Sequence, residues 1–269
     1  MSAEELRNMK TAVEFTTELA GKGRYHFTTQ DAQDALQVSG PATRAALRRL
    51  RERGHIADPY RGFHVIVPPE YRRLSCLPAD QFVPQLMEYL GEYYYVALLS
   101  AAELHGAAHH RPQSFQVMVS RNRAPIECGE QRVQFVARRD LAQTPIVERN
   151  TPRGFLRVSS PAATALELVG YADQCGGLDN VASVLTELVE VLDSTSLLDA
   201  ARLSPIAWSQ RLGYLLDLTG HSELVNPLAD YVRERATVVA PLVRKKSITR
   251  APRTERWKLA INASVEPDL

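Results

Sequence analysis

Between Ser39 and Gly54 the chain reads Ser-Gly-Pro-Ala-Thr-Arg-Ala-Ala-Leu-Arg-Arg-Leu-Arg-Glu-Arg-Gly, and no other segment restricts the fold as tightly. At about 100° per residue, Thr43, Ala46, Leu47 and Leu50 fall on one side of a helix. Arg44, Arg48 and Arg51 fall within roughly 60° of one another on the opposite side. Ser39 or Gly40 can cap the start, and Pro41 suits the first turn because its missing N–H is not needed there. Gly54 ends the helix after Arg53. The apolar side must be covered by the rest of the protein, while the guanidinium side must stay in water or meet an anion.

The flanks supply the cover. Leu6, Met9, Ala12, Val13, Thr16, Leu19 and Ala20 recur at three- and four-residue steps, which predicts an amphipathic helix over Ala3–Ala20 with Gly21 as its cap. A connection, Lys22–Phe27, leads to Thr28 and Asp31, which are spaced as a capping box before the short stripe Ala32, Ala35, Leu36. After Gly54, His55–Ala57 and Phe63–Val67 alternate on either side of Asp58-Pro-Tyr-Arg-Gly62, the pattern of a hairpin. Two short helices joined by a tight turn, the second with outward arginines, followed by a hairpin, predict a winged helix-turn-helix over residues 1–73. In that arrangement the second helix enters the DNA major groove, where arginine forks onto guanine O6 and N7 or onto phosphate oxygens. The candidate DNA contacts are Thr43, Arg44, Arg48, Arg49, Arg51 and Arg53 on the helix, with Tyr60, Arg61 and His64 on the wing.

Charge distribution agrees. The whole chain of 269 residues carries only +1, yet Ser39–Arg73 carries a net +5 and Leu242–Lys258 a net +6, which leaves −10 for everything else. Concentrated basic segments in a nearly neutral chain point to local contact with a polyanion. Arg244, Lys245, Lys246, Arg250 and Arg253 form the secondary basic patch. Hydrophobic residues at 45 % exclude a disordered chain. Three cysteines, Cys76, Cys128 and Cys175, fit neither a disulfide framework nor a zinc ribbon, so a reducing cytoplasm is expected. The uncharged run Tyr93–Ala102 is too short to span a bilayer, and the acidic start has no basic or apolar leader pattern; no membrane contact and no secretory leader are expected.

Residues 74–269 form a second domain, with the boundary marked by Pro68, Pro69 and Pro78. Helices are predicted over Phe82–Leu90 and Tyr94–His105. Strands follow at Ser114–Ser120, Arg132–Ala137, Ile146–Glu148 and Phe155–Val158, the last two joined by Asn150-Thr-Pro-Arg-Gly154. Ser159 or Ser160 with Pro161 opens a helix to about Val169, and Asp179–Leu192, Ser196–Arg202, Ile206–Leu218 and Leu224–Arg235 read as further helices before a strand at Trp257–Ile261. The expected class is α+β, with the winged helix followed by a mixed α/β domain that has a small sheet and a helical C-terminal half. His105, His109 and His110 form the one histidine cluster, but Gly106 interrupts the helix that would align them, so a packing role is expected and no metal site. No nucleophile elbow, phosphate loop or dinucleotide fingerprint is present, and no catalytic residue or cofactor is expected. Two alternatives remain at this level: a transcription factor with a ligand-sensing second domain, and a metal-dependent nuclease fused to a winged helix that uses acids such as Glu103 or Glu127.

Several stretches together resemble the AbiEi-type antitoxins of abortive-infection toxin–antitoxin operons. They are Arg61-Gly-Phe-His-Val-Ile-Val-Pro-Pro-Glu-Tyr71, Tyr95-Val-Ala-Leu-Leu-Ser-Ala-Ala-Glu-Leu-His-Gly106, Phe115-Gln-Val-Met-Val119, Val158-Ser-Ser-Pro-Ala-Ala-Thr-Ala-Leu-Glu-Leu-Val169, Gln210-Arg-Leu-Gly-Tyr-Leu-Leu216 and Arg256-Trp-Lys-Leu259. The resemblance spans roughly residues 25 to 262. It implies an N-terminal winged helix that binds inverted repeats in its own promoter and represses the operon. It also implies a C-terminal antitoxin domain that opposes an AbiEii-type nucleotidyltransferase toxin, in the type IV manner, in which a stable complex with the toxin is not required. The secondary basic patch would then meet DNA or toxin.

Overall fold

The computed structural model describes residues 10–107 and 112–266. Residues 3–9 of the expected first helix, and His109 and His110, lie outside the described residues. The protein is a mixed α+β chain with several sheets and ten α-helices among the described residues. It divides into two compact units. The first takes the described residues up to Tyr94 together with Gln113–Arg138 and Glu148–Arg157, and the second takes the remainder. The expected junction after Arg73 falls within the first unit.

In the first unit, α1 (Ala12–Gly21) starts at a capping box the hydrophobic stripe did not reveal: Thr11 Oγ1 accepts from Glu14 N, and the Glu14 carboxylate accepts from Thr11 N at 2.7 Å. Lys10 and Thr11 are therefore not helical, contrary to the expectation of one helix from Ala3. The presumed connection contains a short strand, β1 (His26–Thr28). Helix α2 (Thr29–Leu36) is capped by Thr28 and Asp31 as their spacing predicts, and it ends where Gln37 turns left-handed at φ 52°. Ser39 Oγ accepts from Ala42 N at the start of α3 (Gly40–Glu52). Strands β2 (Ile56–Tyr60) and β3 (Phe63–Ile66) form the hairpin, and β3 lies between β1 and β2 in an antiparallel sheet of order β1-β3-β2. Thr43, Leu47 and Leu50 of α3 are buried with Phe15, Phe27, Leu36, Ile56 and Ile66 in one core. Each large apolar side chain withdrawn from water there contributes about 1.5–3 kcal/mol, which fixes α3 by its back.

Past α4 (Val83–Tyr89), β4 (Tyr94–Val96) is extended where a helix was expected from Tyr94. The helix begins later, as α5 (Leu98–Leu104), with Leu98 at φ 55° marking the break. Aromatic and β-branched side chains in Tyr94-Tyr-Val96 suit a pleated, fully buried strand better than a helix turn. Within the first unit β5 (Phe115–Val119) runs parallel to β7 (Gln131–Ala137), and β7 pairs antiparallel with β6 (Ile126–Cys128), a strand the sequence reading did not include. Gly129 makes the β6–β7 turn at φ +57° and lies directly on the backbone of Leu74 and Ser75. Strands β8 (Ile146–Thr151) and β9 (Gly154–Ser159) are joined as expected, and Arg153 in their turn stacks 3.3 Å over the Tyr25 ring.

The second unit holds the helical run α6 (Pro161–Gly170), α7 (Leu178–Leu188), α8 (Ser194–Arg202), α9 (Ile206–Leu218) and α10 (Asn226–Arg235). Ser160 caps α6, its Oγ accepting from Ala163 N. The chain then forms a small sheet, β10 (Ala240–Pro241), β11 (Arg253–Thr254) and β12 (Leu259–Ala260), with β12 central. Gln210 of α9 donates to the carbonyls of Val238 and Lys258, and Trp257 lies flat against Gly213, where a Cβ would stand 2.0 Å from the indole. These contacts hold the C-terminal segment to α9.

A Cβ at Gly129 would come within 2.1 Å of the Leu74 carbonyl oxygen, and the left-handed φ adds strain for any L-residue. Gly129→Ala should destabilise the chain by about 2 kcal/mol or more. Gly21→Ala, in open space at a helix end, should be neutral or slightly stabilising. Thermal denaturation of the two variants side by side checks this; equal melting temperatures would contradict the packing at Gly129.

Candidate nucleic-acid interface

The back of α3 fixes which side chains its front presents. Arg44, Arg48, Arg49, Arg51 and Arg53 are all exposed. They do not form one surface. Arg44 has no ion pair among the described residues, and Arg48 has only a loose contact with Glu52 at 3.7 Å, one turn along the same face. Arg49 and Arg53 lie round the flank, lining a groove with Lys10–Val13 of the first helix region. Arg51 is engaged: its Nη1 donates to the carboxylate of Asp58 on β2.

Two of the expected contact residues stand elsewhere. Thr43 is 0 % exposed and its Oγ1 donates to the Ser39 carbonyl, so it belongs to the helix's buried side. His64 is 7 % exposed and sits as a clip: Nδ1 lies 2.7 Å from Asp58 Oδ1, Nε2 lies 2.9 Å from Thr29 Oγ1, and the ring stacks on Phe27. Its period-two position put it on the inner face of β3, where the notion of an outward wing residue fails. Asp58 thus gathers Arg51 and His64. Its burial raises the carboxyl pKa, but the bonds to His64 and Arg51 outweigh this and hold it below the ordinary aspartate value.

The hairpin tip is also held. Arg61 and Gly62 form a two-residue loop between Tyr60 and Phe63, with Gly62 at φ +78°. The Gly62 carbonyl accepts from Thr29 N, and the Arg61 carbonyl accepts from the Tyr89 hydroxyl at 3.4 Å. The side chain of Arg61 is exposed without an ion pair among the described residues. Tyr60 is partly exposed beside Arg123, whose Nε donates to Glu92 at 2.5 Å.

In the second unit the secondary basic patch divides. Arg250 and Arg253 are exposed in and beside β11, whereas Arg244, Lys245 and Lys246 border a cavity whose lining includes Arg211 of α9. Sequence reasoning missed Arg211 because it lies within a helix read as core; the polar pair Gln210-Arg211 on the buried side of an otherwise apolar helix was the available signal. His105 is buried, with Nε2 2.7 Å from the Ser159 carbonyl, a packing position. No group of three or more His, Cys, Asp or Glu side chains suited to a metal ion occurs among the described residues.

Residues 95–218 match the family model described as the AbiEi antitoxin C-terminal domain. That stretch, a little under half of the chain, is similar to the AbiEi antitoxin C-terminal domain. No curated protein matches it. The crystal structure of the RV2827C protein from Mycobacterium tuberculosis is similar over 94 % of this chain and 92 % of that one, with a TM-score of 0.67 and 18 % identity, a likeness of fold. The AbiEi match supports an antitoxin role in a toxin–antitoxin, abortive-infection system, and that family is regulatory. It runs from Tyr95 to Leu218 and so includes Gln210, Arg211 and Gly213, while α3 and the segment after α9 lie outside it. No helix among the described residues is long and apolar enough to cross a membrane.

The Asp58 cluster makes a pH prediction with a definite sign. Because the folded carboxyl titrates below the ordinary value of 3.8, its stabilising contribution is present above that value and is lost as pH falls through the folded one. Asp58→Asn should cost about 1–3 kcal/mol at neutral pH, and the gap to wild type should close in strong acid. Chemical denaturation at neutral and acidic pH checks this; a gap that widens on acidification contradicts it.

Proposed function

We propose that this protein is a DNA-binding antitoxin that represses its own operon. In this reading residues 1–73 form a winged helix-turn-helix with α3 as the recognition helix and β2–β3 as the wing, and residues 74–269 carry the antitoxin function. The observation that carries it is the exposed pair Arg44 and Arg48, one turn apart on the front of a helix whose back is locked by Leu47 and Leu50. The helix order, the three-stranded sheet and the exposed Arg61 at the hairpin tip support it. Arg44 and Arg48 would read base edges in inverted repeats, and Arg61 would contact phosphate. Arg49, Arg53 and Tyr60 lie at the margin of that surface; Thr43 and His64 hold it in shape from within. The AbiEi domain would oppose a nucleotidyltransferase-like toxin in the cytoplasm, and Arg250 and Arg253 are left as an additional surface for DNA or toxin.

A gel shift on the protein's own upstream region tests the reading. Alanine at Arg44 or Arg48 should each cost about 1–3 kcal/mol and relax specificity. Arg61→Ala should weaken all duplexes alike and lower the salt slope by about one. If the Arg44/Arg48 double variant shifts the operator as well as wild type does, the assignment of α3 is wrong. Co-expression with the neighbouring gene tests the other half: the double variant should still rescue growth, since the antitoxin function is placed in the AbiEi domain.

A further inference from the structure

The cavity in the second unit has a volume of about 370 Å³ and is lined by the end of α6, the start of α7 and Leu242–Lys246. Arg211, on its lining, is 3 % exposed. Its Nε donates to the Pro241 carbonyl at 3.0 Å, and its two terminal nitrogens make no hydrogen bond or ion pair among the described residues. A guanidinium withdrawn from bulk water, with its fork reached only through the cavity, favours an acceptor placed there. Burial, and then the charge of Arg244, depress its pKa to about 10. Arg244 is a second cation at the cavity, with no ion pair of its own among the described residues.

Two carboxylates share the lining: Asp173, which feels the charges of Lys245 and Arg244, and Asp179 in the first turn of α7; neither is bonded to Arg211 or Arg244. Asp173 is bonded to Lys245 Nζ at 2.7 Å, and Asp179 accepts from Glu266 N at 3.0 Å. Helix α7 begins at the cavity from Gly177, which sits at φ +95° and has no side chain to cap the first-turn amides of a helix eleven residues long. Uncapped amides at a helix start carry partial positive charge and bind anions. Val169, Leu242 and Ala263 complete the lining with apolar surface.

We propose that this cavity binds a small organic phosphate, the phosphate on Arg211, Arg244 and the first-turn amides of α7, and the body of the ligand against Val169, Leu242 and Ala263. The volume suits a nucleotide-sized molecule. A duplex backbone is too wide to reach a guanidinium almost wholly enclosed, so the ligand is a small molecule rather than nucleic acid. The site stands on its own geometry and does not rest on α3 binding DNA.

Isothermal titration of the full chain tests it, with ribonucleoside di- and triphosphates, inorganic phosphate and citrate as probes at equal ionic strength. The expected result is saturable one-to-one binding of a nucleotide, weaker binding of inorganic phosphate and none of citrate. Arg244→Ala, an exposed change that leaves the fold intact, should weaken nucleotide binding at least about tenfold. Arg211→Lys, which keeps the charge but loses the fork, should do the same. No saturable binding at millimolar concentration overturns the proposal. So does binding unchanged in both variants, inorganic phosphate binding as tightly as every nucleotide, or displacement of the nucleotide by duplex DNA.

Discussion

Leu47 and Leu50, packed beneath α3 with Phe15, Phe27 and Leu36, are the contact on which the candidate interface depends. A helix with five arginines and one glutamate among its last nine residues and the residue that caps it has no reason to adopt a single orientation by its polar side, since water serves every guanidinium equally well. The buried leucines remove that freedom. Once they are inside, the helical period dictates that Arg44 and Arg48 point out, that Arg49 and Arg53 turn to the flank, and that Arg51 meets Asp58. The charged surface is thus a consequence of the apolar one.

Much of this was legible in the sequence, for physical reasons that also explain the gaps. Caps are local: Thr28 with Asp31, and a serine or glycine just before Pro41 and Pro161, announce helix starts because their bonds close within four residues, and the structure takes Ser39 rather than Gly40 and Ser160 rather than Ser159. Strands of three residues are not local. β1 and β6 exist because β3 and β7 lie alongside, and nothing within His26–Thr28 or Ile126–Cys128 announces that partner. Tyr94-Tyr-Val96 was read into a helix because an apolar run has no period to distinguish a buried strand from a buried turn. The candidate site shows a related limit: residue type made Thr43 and His64 plausible DNA contacts, although the helical period already set Thr43 on the apolar side, and the neighbours Asp58 and Thr29 reveal that His64 faces inward.

The AbiEi resemblance rested on stretches whose role is to join distant parts of the chain. Gly213 leaves room for Trp257, and Gln210 binds the carbonyls of Val238 and Lys258, so two separate stretches, one in α9 and one near the C-terminus, are two sides of one contact. Arg211 sits between them in sequence and has a different environment. Gln210 has its donors used and its neighbour Gly213 is covered, whereas the Arg211 fork opens on a cavity bordered by further cations. Shared family pattern and unsatisfied chemistry coincide on adjacent residues of one helix.

The pinned hairpin tip constrains how such a protein can change over time. A Cβ at Gly62 would stand 2.9 Å from the Tyr89 oxygen, and the loop's own two carbonyls, of Gly62 and Arg61, are held by Thr29 and Tyr89. Lengthening the loop would break these anchors, so insertions there are penalised while side-chain replacement at Arg61 is free. Drift in what this surface recognises would therefore proceed by exchanging side chains on a rigid frame, and the hairpin, already ordered, would surrender little chain entropy on contact with any partner.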